Sequence, residues 1–106
     1  MSNDIAVQAD HLLGRLKQLQ IRYPRLLRDV RASPLSMDIE FFLADLAIDA
    51  THSLLEAGIT AVHRMDRPQL MSIQLPSLLA QGQVPLVIQV LDRFLRQYTR
   101  VSSDHP

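Results

Sequence analysis

Residues 37–67, MDIEFFLADLAIDATHSLLEAGITAVHRMDR, are apolar around most of their circumference when wound as a helix, yet they carry several acids and two histidines. At about 100° per residue, Asp38, Asp45, Asp49, His52 and Glu56 lie within about 60° of one another, and His63 and Arg67 fall on the same line. Ser36 stands where it would cap the free N–H groups, and Asp38 and Glu40 would occupy a first turn, where the helix dipole favours negative charge. The polar stripe runs through Gly58. That glycine would point the opposite way, among Ala47, Ala50, Ala57 and Ala61, where small residues let another backbone approach. The phase therefore predicts one helix over 37–66, tolerating an interior glycine at about 1 kcal/mol and closed by Pro68.

The rest of the chain is read at the same spacing, because it has three glycines and no run of alternating β-branched residues. Ile5, Ala9, Leu12, Leu16, Leu19 and Tyr23 recur every three or four positions and predict a first helix ending near Arg22, with Asn3 or Asp4 as its cap. Pro24 suits the first turn of a short helix carrying Leu26, Leu27 and Val30. A turn follows at 32–35. A short helix is expected over 73–81, with Ser72 as cap, Pro76 in the first turn and Gly82 at the end. After Pro85 the positions Val87, Leu91, Phe94, Tyr98 and Val101 step by four and three, like a short coiled-coil seam. The tail 102–106 is expected to fray. The predicted fold class is all-α: a single-domain helical bundle with a long central helix, N-terminal and C-terminal helices and short connecting ones.

The 106 residues suffice for one packed core without staples, and no cysteine offers a disulfide, a thiolate nucleophile or a sulfur ligand. The N-terminus lacks the pattern of a secretory signal, and charges interrupt every long apolar run, so a soluble, cytoplasmic protein without membrane contact is expected. Net charge is zero but unevenly placed. Residues 1–36 hold six basic and three acidic side chains, 37–66 one and six, and 67–106 four and two. Such alternating blocks suit helices packing on one another or on a second copy better than they suit nucleic acid, which needs a concentrated positive field.

Three features could carry chemistry. Asp49, His52 and Glu56, spaced by three and four, would share one helical face and could meet a divalent ion, but one helix gives an incomplete shell and no second histidine–carboxylate set faces it. We read them as a solvated edge, and no metal or cofactor is expected. No Gly-x-Ser-x-Gly elbow or glycine-rich phosphate loop is present, so no enzyme activity is expected. His11 and His105 are read as surface residues. The arginine-rich run of Arg15, Lys17, Arg22, Arg25, Arg28 and Arg31, with Arg93, Arg96 and Arg100, gives the alternative of a DNA-binding regulator. Interspersed Asp10, Asp29 and Asp92 dilute that patch, and the short turn of a helix-turn-helix is missing.

The excess of apolar surface is the third feature. It predicts burial against a protein partner, foremost a second copy in a homodimer, through Val87, Leu91, Phe94 and Tyr98 with Arg93 and Arg96 at the rim. Phe41 and Phe42, flanking the polar stripe, form a second candidate surface. The expected function is a non-enzymatic regulatory or adaptor protein, a form common among small bacterial inhibitors. The segment Ile48-Asp49-Ala50-Thr51-His52 resembles part of the helical anti-activators that sequester quorum-sensing regulators. The likeness covers five residues, and what it implies is inhibition of a bacterial regulator.

Overall fold

Gly58 has φ +86°, a left-handed backbone that ends a helix instead of continuing it. The helix stops there in full Schellman geometry: the Ile59 N–H donates to Leu54 O at 2.9 Å and the Gly58 N–H to Leu55 O at 3.0 Å. Leu54 and Ile59, the pair whose contact accompanies this motif, are both buried. This break overturns the all-α expectation. The computed structural model describes residues 2–103, with side chains over 7–99. Its elements are α1 (Ser2–Arg22), β1 (Leu27–Ala32), β2 (Ser36–Phe41), α2 (Ala44–Glu56), β3 (Ala61–His63), β4 (Leu70–Gln74), α3 (Leu75–Ala80) and α4 (Val84–Ser103). The chain is mixed α/β, with four helices and a four-stranded antiparallel sheet among the described residues, and it is not a helical bundle.

The expected helix over 37–66 is three elements. Its first part is β2, in which Met37, Ile39 and Phe41 are buried while Ser36, Asp38 and Glu40 are half-buried on the opposite face. That alternation has the period of a strand, and Asp38 and Glu40, expected in a first helical turn, are instead its outward residues. The middle is α2. The last is β3, which pairs Ala61 with Ile73 and His63 with Met71. The predicted stripe is accordingly divided, and His63 and Arg67 do not continue it.

The segment after Pro24, expected to be a short helix, is strand β1, and a bulge accounts for its helix-like spacing. Register slips between Leu27 and Asp29, so Leu27 and Val30, three apart, are both buried. A bulged strand thereby imitates helical spacing. The helix expected over 73–81 divides likewise: 70–74 form β4, and only Leu75–Ala80 is helical. Pro76 does sit in that helix's first turn, and Gly82, with φ +63°, does end it. The turn at 32–35 joins β1 to β2, held by the Ser33 N–H on Ser36 O at 2.8 Å. The first and last helices stand where periodicity placed them; the expected N-terminal cap and the side chains of Ile5, Arg100, Val101 and His105 lie outside the described side chains.

The strand order is β1-β2-β4-β3, two hairpins joined through their inner strands. Met37, Ile39, Phe41, Ala61, Met71 and Ile73 pack with Leu12, Leu16, Leu46, Leu54, Val87 and Leu91 in one core. α1 lies against β1, α2 over the other three strands, and α4 packs on α1 and α2. The reverse face of the sheet carries Arg31, Asp38, Glu40, Val62, Ser72 and Gln74. Among the described residues no helix is long and apolar enough to cross a membrane.

Candidate protein-docking surface

The candidate surface is built by α4 and its contact with α2. α4 begins at Val84, with Pro85 in the first turn, where a missing N–H costs nothing. Val87, Leu91 and Leu95, spaced by four, turn into the core and are fully buried or nearly so. Two of the four seam residues expected at an interface, Val87 and Leu91, thus lie inside the chain's own interior. Phe94 and Tyr98 are half-buried, with ring centroids 6.4 Å apart and planes tilted by 38°. Both rings pack on the core while keeping part of their surface in water.

The two rim arginines behave differently. Arg96 donates to Asp92 Oδ2 at 2.5 Å, and its guanidinium is held above its ordinary pKa by the Tyr23 hydroxyl first and by Asp92 next. Asp92 also accepts from Tyr23 Oη at 3.1 Å and from Arg22 Nη1 at 3.2 Å, which binds α4 to the end of α1. Arg93, one residue after Asp92 and so about 100° around the helix from it, faces the α2 side, where it lines a hollow with Ser53, Glu56 and Ala57. It makes no ion pair among the described residues.

Between α2 and α4 runs an open groove of about 400 Å³ lined by Ser53, Glu56, Ala57, Val90, Arg93, Phe94 and Gln97. Ala57 and Val90 are half-buried against the core, so together with Phe94 they give it an apolar component. Glu56 and Arg93 stand on opposite walls without an ion pair between them. Of the groove's residues, only Arg93 and Phe94 are expected from the apolar seam. Val90, one turn before Phe94, and Glu56, of opposite charge to Arg93, are the signals that point to the others.

Phe41 and Phe42 separate. Phe41 is wholly buried in the core, whereas Phe42 is 43% exposed where β2 leads into α2, beside the exposed Leu43. Its backbone is tied down: the Phe42 N–H donates to Leu26 O at 3.1 Å, and Gln69 Nε2 donates to Phe42 O at 2.9 Å.

Asp49, His52 and Glu56 are all exposed on α2, and among the described residues no group of three or more histidines or acids is arranged to hold a metal ion. Arg28 and Arg31, expected on a short helix, lie on β1 and gather with Arg67 around the Glu40 carboxylate at 3.6, 3.5 and 3.8 Å. The helix-turn-helix likeness therefore has no counterpart in this segment. Beside that cluster, Asp38 accepts from Ser36 Oγ at 3.0 Å and Ser72 Oγ at 2.8 Å. The reverse sheet face thus satisfies most of its charge internally. On α2, by contrast, Asp45, Asp49 and Glu56 form no ion pair among the described residues. Neither the protein-family models nor the curated proteins compared with this chain give a match.

Proposed function

We propose that this is a protein-binding regulatory or adaptor protein without chemistry of its own, acting through the α2–α4 flank. The observation that carries the reading is the groove itself: half-exposed Phe94 and Val90 lie between an acid and an arginine that have no ion-pair partners within the described chain. Partly buried aromatic residues ringed by charge suit a docking site, in which the apolar centre supplies affinity and the rim sets orientation. An inhibitory or anti-activating role fits this reading, since occlusion of a partner needs a surface and no catalytic group. The five-residue resemblance falls on α2, with Asp49 and His52 exposed.

Light scattering over a range of concentrations tests the reading. A mass rising from 12.0 kDa toward twice that value, and falling back in Phe94→Asp, is the expected result. A monomer at every concentration, identical in the variant, would contradict it.

A further inference from the structure

We infer that the occupant of the α2–α4 groove is a second copy of this chain, related to the first by a two-fold axis running along the groove. The inference rests on the protein-binding reading above and specifies its partner. Glu56 and Arg93 line the same short stretch of groove from opposite helices, one from α2 and one from α4. A two-fold rotation about the groove's own axis lays α2 of one copy on α4 of the other while preserving the level along the axis. It therefore sets Glu56 of each copy beside Arg93 of the other, and does so twice, as an isologous interface requires. The same rotation brings each Phe94 toward Ala57 and Ser53 of the other copy, closing half-exposed aromatic surface over small residues.

The charge pattern beyond the groove agrees. α2 presents Asp45, Asp49 and Glu56, all exposed, and α4 presents the exposed Arg93 on the groove, whereas Arg96 is already held by Asp92. Because the acids and Arg93 form no ion pair among the described residues, stacking α2 on α4 would give the acids a cationic neighbour in Arg93 without breaking any existing pair. A second hollow of similar size among the described residues, about 410 Å³, has no such match with itself. It lies on the reverse sheet face, lined by Leu35, Ser36, Val62, Arg64, Ser72, Gln74 and Pro76. Its one charged side chain, Arg64, already pairs with Asp66 at 3.3 Å.

Charge reversal in trans tests the geometry. Arg93→Glu and Glu56→Arg alter exposed side chains, so both variants are expected to keep the wild-type circular dichroism and melting curve. In sedimentation equilibrium each variant alone should associate at least about tenfold more weakly than wild type, because each homodimer would hold two like-charged pairs. An equimolar mixture should regain dimer, since the reversed glutamate then meets the reversed arginine and the native pair is kept. An effect confined within one chain would not be cured by mixing. Dimeric wild type with reversals that have no effect, or that weaken without rescue on mixing, would overturn the two-fold arrangement while leaving protein binding intact. Wild type that stays monomeric throughout would overturn both.

Discussion

Gln83 donates its side-chain N–H to the carbonyl of Gly58 at 3.0 Å, joining residues 25 apart in sequence. The bond links two helix ends of the same design. Gly58 closes α2, and Gly82 closes α3 with the Gln83 N–H on Leu78 O at 3.0 Å and the Gly82 N–H on Leu79 O at 3.2 Å. The two glycine turns are thereby fastened to each other where α4 begins. The Gln83 Oε1 atom is buried with no partner, so the donor side of this amide does the useful work.

Gln83→Met, which removes both the donor and the unpaired acceptor, should cost no more than about 1 kcal/mol in urea unfolding. Gln83→Glu should cost more at neutral pH, because a carboxylate would face the Gly58 carbonyl with nothing to donate. Equal losses in the two variants would show that the bond does not join these turns.

Asp92 is the shared acceptor between α1 and α4, with 18% of its side chain exposed. Asp92→Ala strips partners from Tyr23, Arg22 and Arg96 together, and should lower stability by about 1–2 kcal/mol. Arg22→Ala removes one exposed arm and should cost only a few tenths of a kcal/mol. Chemical denaturation of both variants checks the ranking.

Asp66 has its carboxyl pKa held below the ordinary value, chiefly by the side-chain hydrogen bond from Arg64. Stability from a depressed carboxyl pKa is present above its unfolded value and is lost as pH falls through the folded one. Its contribution should therefore disappear only below the usual carboxylate range. In an NMR titration Asp66 should titrate lower than a free aspartate, and Arg64→Gln should move it back upward.

α1 and α4 are legible in the sequence because each turns one apolar face to the core, from Ala9 to Leu19 on α1 and from Val84 to Tyr98 on α4, for about three to four turns. There helical period and burial coincide: Leu12, Leu16 and Leu19 on one helix, Val87, Leu91 and Leu95 on the other. The strands are harder for three separate reasons. In β2 the alternation is present in the letters, Ser-Met-Asp-Ile-Glu-Phe, but Ser36 and the two acids also match a capped helix start. In β1 the bulge restores a three-residue spacing between buried positions. Strand β3 has only three residues, too few to show any period.

The candidate surface was half legible for a related reason. Periodicity identifies which α4 positions are apolar, yet it does not divide them between the chain's own core and an outer flank. Only the position of α2 makes that division, placing Val87 and Leu91 inside and leaving Phe94 beside Glu56. The charge blocks likewise predict pairing without predicting place. The arginines of the first block meet Glu40 across the sheet and Asp92 on α4, and not the acids of α2.

The whole arrangement depends on the chain reversing at Gly58, which ends α2 beside α4 and frees the next residues to form β3. Gly58→Ala followed by urea denaturation measures this directly. A Cβ there would meet nothing within 4 Å, so the substitution reports backbone conformation alone. At φ +86° alanine should destabilise by about 1–2 kcal/mol. A gain of about 1 kcal/mol, the value for replacing glycine inside an uninterrupted helix, would contradict the turn, and with it the sheet and the groove.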